Sequence, residues 1–255
     1  MIKKINNKDF YMFVRKISKR IREQDWVAAG IDFVIVVVGI FVGLQVSNLN
    51  QEYKDRSDEQ AYMERLLDDA RYNEQQIKNV IKAHINRATK AKSALDILMD
   101  EEAEVENQSL LVLQMQLAID IASVKLFYGT YDELIATGKL AIIRDEQLKK
   151  LLQEEVATNR YIAGSLDIFR NLSTDTITPS FKHEKYSKGN NGFSQLPTTY
   201  NFNTMRKDNA FIGAVQGSIG AVLSFVEYRK IQLKSVENLR QYLECKLHKK
   251  GCEVN

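Results

Sequence analysis

The sequence is poor in the residues that most often end helices or supply catalytic groups. Its 255 residues include only two prolines, Pro179 and Pro197, and three histidines. Because both prolines lie in one polar stretch, the rest of the chain is free to form long helices. So few histidines leave little room for histidine-based catalysis or for a histidine-rich metal site.

The short motifs of common enzyme classes are absent from the sequence as well. It contains no P-loop, no GxGxxG fingerprint, no GxSxG elbow and no HExxH pair. We therefore predict no catalytic residues, no metal site and no cofactor, and a non-enzymatic protein.

Only two cysteines occur, Cys245 and Cys252, and both are near the C-terminus. With His248 they have the spacing of three ligands on one helix face, but Gly251 is expected to end that helix and a fourth zinc ligand is missing. In an oxidising compartment a Cys245–Cys252 disulfide is the better expectation. Unpaired thiols and pairing between chains are the alternatives.

Positive charge is concentrated at the N-terminus. Residues 1–24 contain five lysines and three arginines against Asp9 and Glu23, a local net charge of +6, whereas the whole chain carries +3. A basic start followed by a nearly neutral remainder favours a membrane surface over nucleic acid as the partner. Residues 8–22 are either an amphipathic helix on the anionic cytoplasmic leaflet or a merely basic topogenic tail.

One long apolar run follows, from Trp26 to Val46. Among its 21 residues only Asp32 and Gln45 are strongly polar. A helix of this length covers about 30 Å, the thickness of a hydrocarbon core, so we predict a transmembrane helix over 25–47 with Trp26 as an interfacial anchor. A cleaved signal peptide is the alternative, which the lack of an A-x-A-like site disfavours.

The distribution of Lys and Arg predicts the orientation of this helix. Eight positive residues precede Trp26, and only Lys54 and Arg56 follow the segment closely. The positive-inside rule therefore places the N-terminus in the cytoplasm and residues from 48 onward in the periplasm of a diderm bacterium.

Asp32 is the residue in this segment with the clearest functional potential, because an intramembrane carboxylate is costly. Three interpretations of Asp32 are open. It carries protons, or it makes a polar contact in an oligomer. In the third, the helix is less deeply inserted in the bilayer and Asp32 lies near the cytoplasmic interface. Gly39 and Gly43 form a GxxxG pair, which permits close approach of a second helix. With Gln45, these residues are candidate contacts in a homo-oligomer or with a membrane-protein partner.

The stretch "GIDFVIVVVGIFVGLQVSNLNQ" has an acidic residue, an aliphatic run, Gly-Ile, then Leu-Gln followed by asparagines. The residues in these places are Asp32, Gly39, Ile40, Leu44, Gln45, Asn48 and Asn50. It resembles the N-terminal signature of an uncharacterised family of bacterial inner-membrane proteins, a domain-of-unknown-function group, which often has tryptophan where Leu49 stands. "TYDELIATGKLAII", Thr130 to Ile143, is similar too. The resemblance implies inner-membrane topology and no agreed activity.

Beyond the membrane segment, apolar residues recur at alternating steps of three and four. The series is Met63, Leu67, Ala70, Glu74, Ile77, Ile81, His84, Ala88, Ala91, Leu95 and Leu98. This heptad-like seam, widened by Leu66, Val80, Ile85 and Ile97, favours a helix packed in a bundle over a lone coiled coil. We interpret His84 as a packed histidine hydrogen-bonded across the bundle, and Glu74 as a partly exposed seam residue. Residues 47–62 contain neither Gly nor Pro, so the helix should continue from the membrane segment.

Further helices are expected at 107–124, from Glu146 to about Leu172, and at 209–246. Thr130 and Glu133 are predicted to form a capping box, Gly138 a left-handed helix end, and Asp145 an N-cap. The stretch from Thr130 to Ile143 is either a structural corner or a binding surface, and the capping pattern explains it as a corner without a ligand.

Residues 173–207 are predicted to be a long loop. Residues 210–226 are apolar, but a buried bundle helix is favoured over a second membrane crossing.

The sequence therefore predicts an all-α fold, in which a single transmembrane helix continues into an extramembrane antiparallel helical bundle. The predicted segments are 1–24, 25–47, 48–250 and a tail at 251–255. We expect an interaction, sensor or scaffold protein of the bacterial inner membrane, with the lipid bilayer as one partner and no nucleic acid. The alternative is an accessory subunit of a proton-driven stator- or transporter-like complex that uses Asp32.

Overall fold

The computed structural model describes residues 26–117, 120–177, 180–183 and 200–248. It confirms the all-α fold. The described helices are α1 (Trp26–Met99), α2 (Gln108–Leu117), α3 (Gly129–Ala136), α4 (Glu146–Ile177), α5 (Phe202–Lys207) and α6 (Asn209–Leu247), with 3-10 turns at Lys139–Ile142 and Ser180–His183. The helix predicted over 8–22 lies outside the described residues.

The chain divides into two compact units, Met1–Ser57 and Asp58–Asn255, and α1 contributes residues to both. In the first unit, every large apolar side chain from Ile31 to Leu49 is between 42% and 70% exposed. An 18-residue window there has a mean hydropathy of 2.2 and is 0% buried. This part of α1 is thus long and apolar enough to cross a membrane.

The second unit has a core of three apolar clusters that follow one another along its long helices. The first joins α1, α3, α4 and α6 around Leu66, Leu134, Leu152 and Leu239. The middle cluster contains Ala88, Ile162 and Phe225, and the last joins α1, α2, α5 and α6 around Leu98, Leu111, Met205 and Phe211. The order of the clusters shows that α1 and α4 run in the same direction and that α6 is antiparallel to both.

The seam predicted on α1 is confirmed. All eleven seam residues are buried or half-buried, since a helical face with this spacing packs into the core. Two of the four residues predicted to widen the stripe, Ile85 and Ile97, are instead 42% and 40% exposed. The buried face is therefore narrower than expected at these two positions.

The helix predicted at 107–124 is shorter in the structure. α2 ends at Leu117, and residues 120–128 have no regular secondary structure. This segment returns the chain to the first cluster. α4 therefore begins at the end of the bundle where Tyr62 of α1 lies. Side chains of α1 bond to the backbone of this segment at Ala122 and Phe127, so these backbone groups do not need helical partners.

The corner between α3 and α4 differs in part from expectation. The capping box is wrong: α3 begins at Gly129, the Thr130 amide donates to Asp69 Oδ2 at 3.1 Å, and Glu133 accepts from Tyr62 Oη at 2.9 Å. Tertiary partners have replaced the local cap. Gly138 has φ of 68°, as predicted, and Asp145 Oδ1 accepts from the Leu148 amide at 3.0 Å as the predicted N-cap.

The predicted loop at about 173–207 contains more helix than expected. α4 continues to Ile177, because the first helix-breaking residue is Pro179. α5 begins after Asn201, whose side chain accepts a hydrogen bond from the Thr204 amide. The last helix agrees with its prediction and is capped by Asp208, which accepts from the amides of Ala210 and Phe211.

Candidate functional site

The candidate residues of the first unit lie on an open helical surface. Asp32 and Gln45 are exposed, and a side chain added at Gly39 or Gly43 would meet no described atom within 4 Å. At 100° per residue, Asp32, Gly39 and Gly43 share one face within about 40°, whereas Gln45 lies on the opposite side. Trp26 is the first residue of α1. The helix therefore brings the carboxyl and the two glycines together on one face.

In the second unit, two polar side chains of α1 hydrogen-bond to the backbone of the non-helical segment at 120–128. Asn73 Nδ2 donates to the Phe127 carbonyl at 2.9 Å, and the Phe127 amide donates back to Asn73 Oδ1 at 2.7 Å. The Ala122 amide donates to His84 Nε2 at 3.0 Å. The later residue of α1 meets the earlier residue of the segment, so the segment runs antiparallel to α1.

His84 is fully buried, and the prediction of a packed histidine is confirmed. Its Nε2 accepts a hydrogen bond, so the neutral ring carries its proton on Nδ1, which has no hydrogen-bond partner among the described residues. Its ring meets the edge of Phe225, with 5.9 Å between centroids. Burial, followed by the charges of Arg87 and Arg229, lowers the pKa of His84 from 6.5 to about 4.

Arg229 of α6 is a buried cation that sequence reasoning missed. Its Nη1 donates to Gln232 Oε1 at 2.7 Å, and its guanidinium lies 4.8 Å from the centre of the Phe225 ring. Gln232 Nε2 in turn donates to Asn159 Oδ1 on α4 at 2.7 Å. Burial lowers the pKa of Arg229 to about 10, so it stays charged at neutral pH. No described carboxylate forms an ion pair with it.

Glu155 is a second missed group, 3% exposed on α4. Tyr128 Oη donates to Glu155 Oε1 at 2.7 Å, beside a cavity of about 20 Å³ that also contacts Asn73 and Asp69. A cavity of this size has room for about one water molecule. Burial raises the pKa of Glu155 to about 7, although the hydrogen bond from Tyr128 lowers it.

A spacing signal in the sequence could have found both missed groups. On α6 the buried residues step by three and four through Val222, Phe225, Arg229, Gln232, Val236, Leu239 and Leu243. Glu155 fits a similar series on α4 with Leu148, Leu152, Ile162 and Leu166. A polar residue in such a series is placed in the core by its neighbours.

Glu74, interpreted from the sequence as a partly exposed seam residue, forms ion pairs with Lys78 at 2.5 Å and with Arg240. Burial opposes ionisation, but the hydrogen bonds from Lys78 and Arg240 outweigh it, and the pKa of Glu74 is lowered. A carboxylate held ionised in this way is a poor general acid at neutral pH.

Near the last cluster, His183, Asp208 and Thr204 resemble a nucleophile–base–acid arrangement. His183 Nε2 lies 2.9 Å from Asp208 Oδ2, and Thr204 Oγ1 lies 3.4 Å from His183 Nδ1. However, the hydroxyl of Thr204 donates to the Asn201 carbonyl at 2.8 Å, and its single proton cannot also go to the histidine. The arrangement instead ties the 3-10 turn at Ser180–His183 to the caps of α5 and α6.

Among the described ranges, no group of three or more His, Cys, Asp or Glu residues could hold a metal ion. Cys245 is disulfide-bonded. Cys252 lies outside the described residues, so the pairing of the two stays a prediction. Comparison of the chain with protein-family models, with curated proteins and with solved structures gives no match.

Proposed function

We propose that this protein is a membrane-anchored, non-enzymatic interaction, sensor or scaffold protein of the bacterial inner membrane, with a periplasmic helical domain. The exposed apolar surface of α1 carries the proposal. Its large apolar side chains between Ile31 and Leu49 are all 42% to 70% exposed. Covering one such side chain contributes about 1.5–3 kcal/mol when burial is complete, so this surface strongly favours an apolar environment over water.

Lipid suits this surface better than a single packed partner helix. The exposed apolar run Phe33–Val38 comprises six consecutive residues, which point in all directions around the axis. A helix that is apolar all round belongs in a protein interior or in a bilayer. The charge of residues 1–24 and the resemblance to an inner-membrane signature support a cytoplasmic N-terminus.

The state of Cys245 supports an oxidising compartment for the second unit. Disulfides persist in the periplasm and are rare in the reducing cytosol. The apolar start of α6 does not require a second crossing, because 39% of its apolar window is buried in the bundle, against 0% for α1.

A topology experiment tests the proposal. A reporter that is active only in the periplasm should be active when fused after Asn107 or Asn255, and inactive when fused at Lys8. A reporter active only in the cytoplasm should give the complementary pattern. Periplasmic activity from the Lys8 fusion would reverse the orientation, and recovery of the whole chain in the soluble fraction would overturn the membrane anchor.

The shared face of Asp32, Gly39 and Gly43 favours one second candidate, an accessory subunit of a proton-driven membrane complex. Asp32→Asn separates the two candidates, because the amide keeps size and hydrogen-bonding capacity but does not titrate in this range. We expect Asp32→Asn to preserve assembly and the cellular phenotype. A deletion-like phenotype at normal protein level would favour the second candidate, and loss of the oligomer only in Asp32→Leu would indicate a hydrogen-bonded interface.

A further inference from the structure

At the end of the second unit where α1 stops, a cleft of about 530 Å³ opens between α1, residues 104–107 and α2. Its apolar wall comes from Ile97 of α1 and Leu110 of α2, which are 40% and 49% exposed. Leu113 and Leu117 continue the exposed face of α2 at helical spacing, with exposures of 38% and 44%. α2 therefore packs one face on the core and leaves a second apolar face partly exposed.

The rim of this cleft is acidic. Five of the seven residues from Asp100 to Glu106 are carboxylates, and none of the seven is Lys or Arg. Val105 packs inward on the last cluster, so that Glu104 and Glu106 on either side of it are exposed and line the cleft. No described cation forms an ion pair with Glu104 or Glu106. Arg206 donates to the backbone carbonyls of Leu98 and Asp100 at the start of the rim, so the carboxylates that lie beside the apolar surface without a described ion pair are Glu104 and Glu106.

We propose that this cleft binds a cationic amphipathic segment of a partner protein, with its aliphatic side chains on Ile97 and Leu110 and its Lys or Arg side chains at Glu104 and Glu106. The inference deepens the proposed function and rests on it. The binding of an amphipathic helix in an apolar groove is a common mode of peptide recognition. Opposite charge at the rim of the groove orients the helix and raises its association rate.

Charge argues against a second copy of the same surface as the occupant. A two-fold contact would place the Asp100–Glu106 segments of two chains against each other. Like charges brought together across an interface oppose binding. A positively charged partner segment would instead be attracted to the rim and would reduce the repulsion between its neighbouring carboxylates.

The binding test uses the purified full chain in a non-ionic detergent and a fluorescent peptide of about 18 residues, built from Leu and Lys in an amphipathic helical pattern. A matched peptide with Glu in place of Lys is the charge control. We expect the cationic peptide alone to raise the anisotropy signal on titration with protein. Its affinity should fall with increasing salt, because screening weakens exposed charge pairs.

Variants locate the peptide. The double variant Glu104→Lys/Glu106→Lys and the variant Leu110→Asn should each weaken binding by about tenfold, a change equivalent to roughly 1.4 kcal/mol. Glu154→Lys/Asp167→Lys on α4 and Leu223→Asn on α6 are the matched controls, because these side chains are also exposed. The controls should bind within about twofold of the wild type, and circular dichroism should show every variant folded.

The inference is overturned if the acidic peptide binds equally well, if folded Glu104→Lys/Glu106→Lys retains full affinity, or if the control variants lose as much. Fractionation of the same cells into membrane and soluble fractions tests the membrane anchor separately from peptide binding by the cleft. A wild-type chain that stays in the membrane but binds no cationic peptide contradicts the cleft alone. A chain in the soluble fraction contradicts the anchor, whatever the peptide does.

Discussion

At the scale of single residues, His84 and Glu155 couple the stability of the second unit to pH in opposite directions. The pKa of His84 falls from 6.5 to about 4 on folding, so its contribution is lost as pH falls below 6.5. The pKa of Glu155 rises from 4.5 to about 7, so stability is lost as pH rises from 4.5 through 7. Between about pH 5 and pH 7.5 the two contributions largely offset each other.

Replacing Glu155 exposes the histidine contribution. Glu155→Gln keeps an acceptor for Tyr128 Oη and removes the titration. We expect its free energy of unfolding to fall by about 2 kcal/mol between pH 7.5 and pH 5, because His84 then acts alone. Urea unfolding of the full chain in detergent measures this at both pH values. A variant with the same pH profile as the wild type would contradict the role of Glu155.

Replacing His84 should give the opposite profile. His84→Gln retains an acceptor for the Ala122 amide but cannot gain a proton in this range. The variant should become more stable by about 2 kcal/mol between pH 7.5 and pH 5, as Glu155 gains its proton in the fold. The same urea titrations measure it, and a loss of stability on acidification would show that another group dominates.

At the scale of elements, the corner after α3 depends on one backbone conformation. Gly138 has φ of 68° and open space where a side chain would lie, so Gly138→Ala meets no clash but strains the backbone. We expect a loss of about 1 kcal/mol in the free energy of unfolding. Gly164→Ala inside α4 is the matched control, since it also has open space and should be neutral or stabilising. Equal effects at both sites would contradict the assignment.

Other element ends follow from local chemistry to different degrees. Asp145 caps α4 as its position before the helix predicts, because the cap is formed by residues three apart. The capping box at Thr130 fails although its pattern is correct, because Glu133 bonds instead to Tyr62 and Arg65, more than sixty residues away in sequence. A local cap is thus overridden when a tertiary contact offers a better partner.

At the scale of the whole molecule, Gly39 and Gly43 predict self-association through the apolar part of α1. Gly39→Leu/Gly43→Leu adds bulk to the face that permits close approach, so self-association in detergent should weaken by about tenfold. Val34→Leu/Val37→Leu adds bulk on the opposite side and is the control. Light scattering coupled to size-exclusion chromatography measures the mass. If the glycine variant forms the same oligomer as the wild type, or if the wild type is monomeric, this face is not the interface.

The sequence by itself determined the helical class, the apolar segment, the α1 seam and the start of α4. Each follows from periodicity or capping over a few residues, where side-chain spacing decides which face is buried. Only the tertiary structure decided that residues 120–128 are not helical, which partners Arg229 and Glu155 meet in the core, and that α4 runs parallel to α1. Spacing identifies a buried face but does not identify which distant polar atoms will meet it, and Asn73 and His84 bond to backbone 54 and 38 residues away.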